Sequence, residues 1–290
     1  MLLQQIVNGL ALGSIYVLIT IGYSMVYGIL QLMNFAHGDV YMVGALVAFS
    51  LLTTYHVNVV ASCLIAVLVG AMLAALVERV AYRPLLGKDR TVSMITALGA
   101  ALVIRNGEEL VWGVAAHGFP SFVQTTTLQI GNLQVSVVQF FTLLVSVVVI
   151  IGFNLFLKYH KVGKSIRCVA QDIPVAKLMG IPTGKTISLV YAIGGALGVL
   201  GALLYCSSYN VVFIGMGFAG TMKAFSAAIL GGIGNLNGAL LGGLILGLSE
   251  SLAASYISSA YRDAISFLLL IGILLIKPSG LLGRHISQKA

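Results

Sequence analysis

In QLMNFAHGDVYMVG, residues 31–44, the side chains of Asn34, His37 and Asp39 make an unusually polar break between two apolar runs. Such residues accept hydrogen bonds from the free backbone N–H groups where a helix begins, and an aspartate suits the positive helix end. Asn34 or Asp39 would then cap the second helix at the cytoplasmic face. Alternatively, His37 and Asp39 line or gate an inner opening. Glu250 sits inside a later apolar run, between Ser249 and Ser251. A carboxylate within a membrane span is a functional candidate unless protonation or hydrogen bonding neutralises it. Lys223, at the outer start of another run, reads as a side chain that snorkels to the interface. In ALVIRNGEELVWG, Arg105 can reach Glu108 or Glu109 at helical spacing, with Trp112 as an interfacial belt residue.

A second polar cluster lies in ILGGIGNLNGALLGGL, residues 229–244, with Gly231, Gly232, Gly234, Asn235 and Asn237 close together. It is expected to break a span. Non-helical backbone at membrane depth is tolerated where it is buried in protein or lines a watery cavity, which makes this stretch a candidate for a translocation path. The plainer alternative is a tight turn between two spans.

Enzyme chemistry is missing from the motif record. Gly163-Lys164-Ser165 and Gly184-Lys185-Thr186 look like fragments of a phosphate loop, but Lys158 and Met179 stand where that loop needs its first glycine. No HExxH, GxSxG or paired-cysteine motif is present, and the five histidines are scattered. No catalytic, metal or cofactor site is expected, and the energy for any uphill transport comes from elsewhere.

The frame that holds these residues is a membrane bundle. Of 290 residues, 59% are hydrophobic and 8% charged, with a mean hydropathy of +1.04, whereas soluble domains carry about a quarter charged residues. The expectation is an all-α integral membrane protein, a polytopic helical bundle forming one membrane domain over residues 1–290. The net charge of +8 sits in loops, where it reports orientation and attraction to anionic lipid rather than nucleic acid. Cys63, Cys168 and Cys206 lack disulfide or metal spacing and read as unpaired thiols. The first apolar run has no positive leader and reads as an uncleaved span.

Apolar runs near 7–29, 40–53, 60–80, 92–113, 136–157, 187–205, 221–233, 238–257 and 264–277 predict eight to nine transmembrane helices, the second, seventh and ninth short or interrupted. Arg79, Arg83, Lys88 and Arg90, the stretch 158–185, and Lys277, Arg284 and Lys289 together hold 13 of the 16 basic residues. Nine crossings put all three groups on one side, cytoplasmic by the positive-inside rule, with the N-terminus outside and the C-terminus inside. Glycines four apart, such as Gly9 and Gly13 or Gly194 and Gly198, predict close helix packing within the chain.

The polar stretch KYHKVGKSIRCVAQDIPVAKLMGIPTGK, 158–185, carries six of those basic residues. Within it the spacing predicts a helix over Ile173 to Met179, with Asp172 as N-cap, Pro174 in the first turn, Gly180 as the left-handed terminator and Ile181 as the apolar contact beyond it. Val175, Ala176, Leu178 and Met179 would be displayed to a soluble partner.

NGLALGSIYVLITIGYSMVYGI (8–29), MNFAHGDVYMVGA (33–45), ERVAYRPL (78–85), the A-x-D-x-x-x-A-x-x-x-GI pattern on Ala170, Asp172, Ala176, Gly180 and Ile181, and MKAFSAAILGGIGNLNGALLGGLILGLSE (222–250) follow in one order. In these the chain resembles permeases of the branched-chain amino-acid ABC importers, LivH type, nearly end to end. The resemblance implies an importer permease fold with inverted halves in the bacterial inner membrane. It also implies a second homologous permease subunit, two cytoplasmic ATPases that bind the ATP, and a periplasmic amino-acid-binding protein. Residues 170–181 would be the ATPase-coupling loop, although the Glu-Ala-Ala triplet of the better-known loop type is absent and IRNGEE (104–109) departs from the neutral turn expected there. Within the same class, urea, short amides or other amino acids remain open as the solute, because specificity in such importers rests largely with the binding protein. A gradient-driven transporter remains the alternative class, with Glu250 and Asp39 as its candidate ion or proton ligands.

Overall fold

The computed structural model describes residues 2–85, 89–123, 127–130 and 133–283. Lys88, Arg284 and Lys289, used above for orientation, lie outside them. Among the described residues the chain forms eleven α-helices: α1 (Leu2–Leu30), α2 (His37–Thr53), α3 (Val59–Val77), α4 (Arg90–Trp112), α5 (Val137–Tyr159), α6 (Lys161–Gln171), α7 (Ile173–Leu178), α8 (Thr183–Tyr209), α9 (Met216–Gly231), α10 (Leu236–Tyr256) and α11 (Arg262–Ile276). Each predicted apolar run falls on one helix. Six of these segments are long and apolar enough to cross a membrane, while α2 is a shorter apolar helix.

Local sequence sets several of the helix starts. Asn58 accepts from the Val60 N–H and Asp89 from the Thr91 N–H, capping α3 and α4, and Ser136 with Gln139 forms a capping box at α5. An all-α fold needs a small correction. β1 (His117–Gly118) pairs antiparallel with β4 (Val211–Val212), and β2 (Thr127–Ile130) with β3 (Leu133–Ser136). The first pair forms where the segments after α4 and α8 run side by side and satisfy each other's extended backbone.

The bundle is organised around α1, which is buried almost from end to end. Small residues let it touch its neighbours through backbone: a Cβ on Gly22 would lie 2.6 Å from the Gly194 carbonyl oxygen of α8, and one on Gly247 of α10 would run into Gly13 Cα. Without a hydrophobic drive between helices in lipid, such contact gains dispersion energy that larger residues would block. The helices of the rim are the reverse. Leu68 of α3, Leu102 of α4, Ile151 of α5 and Leu275 of α11 expose their side chains, as a lipid-facing or subunit-facing surface requires.

Two helices start inside this bundle. His37, the first residue of α2, packs its ring edge-on to Tyr23 at 5.9 Å and lies beside Gly198 in the body of α8. Tyr23 is seven residues before the end of α1, about 10 Å along a helix axis. Residues 31–36 therefore leave α1 and run back into the protein in non-helical form, with Asn34 and Ala36 buried. The start of α9 meets α2 there. Gly38 lies against Gly217 and Thr221, and the Tyr41 hydroxyl donates to the Gly217 carbonyl at 2.9 Å. The placement of His37 and Asp39 at a cytoplasmic face is thus corrected: both are interior.

Candidate functional site

The polar stretch 158–185 contains two helices where the sequence predicts one. His160 caps α6 through its Nδ1, and α6 turns Ile166 and Val169 inward while Arg167 stays exposed. Ala170 is exposed near the end of α6. The short helix α7 follows as its residues dictate. Asp172 Oδ1 accepts from the Val175 N–H at 2.9 Å, and Pro174 stands in the first turn. Gly180 takes a φ of +78°. The Gly180 N–H bonds the Lys177 carbonyl and the Ile181 N–H the Ala176 carbonyl, the two reversed bonds of a Schellman ending. Leu178 and Met179 are 86% and 77% exposed. Ala176 is buried rather than displayed, because the six-residue helix must turn one face onto its support.

What lies behind α7 connects it to the bundle. Two residues after Gly180 the chain enters α8, and Arg83 donates to the Gly184 carbonyl at 2.9 Å and to Ser188 Oγ at 2.7 Å. Arg83 also pairs with Glu78 at 3.0 Å, and Ser188 donates to Glu78 at 2.6 Å. Glu78 lies on a π-helical turn, Glu78–Tyr82, that ends α3; such turns recur at functional positions. These contacts join the start of α8, just after α7, to the end of α3.

The polar group at α2 is built differently from its sequence reading. The N-cap is Ala36 and has no side-chain hydrogen bond, so neither Asn34 nor Asp39 caps this helix. Asn34 Oδ1 accepts from the Tyr82 hydroxyl at 3.0 Å. Asp39 Oδ1 accepts from Arg105 Nε and Nη2 at 3.1 and 3.0 Å, and the guanidinium lies over the Phe218 ring of α9. Arg105 therefore pairs across to α2 rather than along its own helix to Glu108 or Glu109. Trp112, expected as a belt residue, donates to Ser50 of α2. Four buried atoms around this group have no hydrogen-bond partner among the described residues: His37 Nε2, Asp39 Oδ2 and both oxygens of Glu108.

Glu250 is fully buried on α10 and fully engaged. It accepts from Tyr16 at 2.7 Å and from Lys223 at 3.1 Å, and Ser266 of α11 donates to its other oxygen. Lys223 also pairs with Asp263 at 3.0 Å. It joins α9 to α10 and α11 instead of snorkelling outward. The glycine-rich stretch does not break a span. It is the link between α9 and α10, with positive φ at Gly232 and Gly234. Asn235 accepts from the Asn237 and Gly238 N–H groups to start α10. Asn235 Nδ2 and the carbonyls of Leu230 and Gly231 hold the segment at Leu281 and Leu282.

Sequence reasoning missed Arg83, Glu78, Arg105, Lys223 and Tyr16 as members of these groups. The signal that points to them is charge scarcity. In a chain with so few charges, an interior acid implies a basic partner on another helix.

A buried central helix, interior helix starts and long apolar helices define a polytopic helical membrane permease. The family described as branched-chain amino acid transport system / permease component matches residues 5–274, and the chain belongs to that family. It is 38% identical to the high-affinity branched-chain amino acid transport system permease protein LivH of Salmonella typhimurium over 300 residues, covering 99% of this chain and 97% of the relative. LivH of Escherichia coli K12 is 38% identical over 299 residues, and BraD of Pseudomonas aeruginosa 37% over 299, each with the same coverage. No solved structure matches.

Proposed function

We propose that this chain is a membrane-spanning permease subunit of a binding-protein-dependent importer, and that it moves leucine, isoleucine and valine across the bacterial inner membrane. It acts as one permease domain with no cofactor of its own. A second homologous permease completes the pathway, a periplasmic binding protein delivers the amino acid, and two cytoplasmic ATPases bind and hydrolyse ATP. Nine passes fit the helices if the second and seventh are each completed by non-helical backbone, at 31–36 before α2 and at 210–215 before α9. The N-terminus is then outside and the C-terminus inside. That α2 and α9 run in opposite directions from one depth supports inverted halves.

The observation that carries the reading is α7. It is a short helix capped at both ends, with Leu178 and Met179 exposed and with Arg83 tying the start of the following helix to α3. Residues 170–181 thus act as the coupling loop. Asn34, His37 and Asp39 line the interior end of the path, and the 231–237 link and Glu250 hold the helices that move around it. The test is Leu178→Glu in the reconstituted importer. This exposed substitution should leave folding intact while abolishing leucine uptake and its stimulation of ATP hydrolysis. Unchanged uptake would remove the coupling role.

A further inference from the structure

A cavity of about 230 Å³ opens at the end of the bundle opposite α6 and α7. It lies between the start of α1, the starts of α5 and α11, and the ends of α8 and α10. Drug-sized sites run to roughly 300–1,000 Å³, so the occupant is a small molecule. Among the described residues Arg262 is the one charged side chain in its lining. The Arg262 Nε is shielded from solvent and has no hydrogen-bond partner among the described residues, and the guanidinium lies beside the Tyr209 hydroxyl. An unpaired buried guanidinium N–H is costly, and its planar fork matches a carboxylate.

The rest of the lining divides into two parts. Gln5, Asn8, Gln139 and Ser251 form a connected polar wall. Gln139 Nε2 donates to Asn8 Oδ1 at 3.1 Å, Asn8 Nδ2 to Gln5 Oε1 at 3.3 Å and Ser251 Oγ to the Gln5 carbonyl at 2.9 Å. Ala11, Leu12 and Ile15, on successive turns of α1, give an apolar wall. We propose that this cavity is an amino-acid site within a single permease subunit. The Arg262 guanidinium takes the α-carboxylate, the amide and hydroxyl oxygens of the polar wall accept from the ammonium, and an aliphatic side chain lies along Leu12 and Ile15. Among the described residues no carboxylate lines the cavity, so recognition rests on the Arg262 end. The site also has a route to the helices. Ile15, Ser251 and Arg262 are chain neighbours of Tyr16, Glu250 and Asp263, which together with Lys223 tie α1, α9, α10 and α11. This inference rests on the amino-acid reading above and names where the solute first contacts the chain.

The test uses the whole importer in nanodiscs of neutral phosphatidylcholine and a diazirine analogue of leucine, with crosslinks mapped by mass spectrometry. Labelling is expected on the α1 peptide and on the α10 to α11 peptide, displaced by leucine but not by leucinol, which lacks the carboxylate. Arg262→Gln should lower it about tenfold or more, the loss expected for a charge-assisted hydrogen bond. Leu12→Trp, which fills the apolar wall without touching the arginine, should lower it as well. Three results overturn the site: labelling elsewhere, labelling insensitive to both variants, or displacement by added phosphatidylglycerol but not by leucine, which makes the occupant a lipid. ATP-driven leucine uptake by the same wild-type complex separates the two claims. Uptake without labelling removes the site alone, whereas absence of uptake removes the amino-acid reading and the site with it.

Discussion

Two of the acidic groups in the interior of this bundle, at Glu250 and at Asp39, are finished to different degrees. Every oxygen of Glu250 has a partner, and its partners come from three other helices. Around Asp39 one oxygen is held by Arg105, while the second, both oxygens of Glu108 and Nε2 of His37 are left without partners among the described residues. Buried polar groups in folded proteins are nearly always satisfied, and the exceptions need a reason. Glu250 is a tie. The Asp39 group keeps unused hydrogen-bonding capacity among the described residues.

Glu250→Leu gives the largest expected effect. It leaves Lys223 with the Tyr16 hydroxyl and the largely exposed Asp263, and loss of one member of a buried pair costs about 3–5 kcal/mol. Thermal melting of the purified importer checks this, and Lys223→Met in the same chain should recover most of the loss. Next is Gly38→Val, whose side chain would enter the Gly217 carbonyl of α9. Overpacking of this kind costs about 1–3 kcal/mol and should stop uptake by forcing the two interior helix starts apart. Gly180→Val places a β-branched residue at positive φ. A strained backbone of that type costs about 1–3 kcal/mol, and the loss should fall on coupling between ATP hydrolysis and uptake rather than on assembly. The smallest stability effect belongs to Glu108→Gln, expected within about 1 kcal/mol because no hydrogen bond is lost, while uptake should fall. If Glu108→Gln melts as early as Glu250→Leu, the two groups are alike and the distinction between them fails.

The helices themselves were legible because a twenty-residue apolar run has few other uses. The α7 caps were legible for a similar reason: Asp172, Pro174 and Gly180 each act on the backbone within a few residues. What the sequence hid is the third dimension. Asp39 sits in a position that a capping residue would take, and only the return of residues 31–36 into the bundle puts it opposite Arg105, 66 residues away. Lys223 at the start of an apolar run looks interfacial until α9 is seen to begin at Met216. The glycine-rich stretch looked like a broken span because its composition does not distinguish a break within a helix from a link between two. Arg262 gave no sign of a site, since the cavity beside it is assembled from five helix ends.

The facing starts of α2 and α9 have an electrostatic consequence. Each helix start carries about half a positive charge from its aligned peptide dipoles, so two beginning side by side place about one positive unit in the middle of the protein. Asp39 and Arg105 offset one another, and wherever the neighbouring Glu108 carboxyl is neutral the field that remains comes from the backbone. In a low-dielectric interior that field raises the energy of a bare cation far more than that of a zwitterion, whose opposite charges can turn to meet it. Discrimination against stray cations is then a property of where two helices begin, and no side chain has to be set aside to provide it.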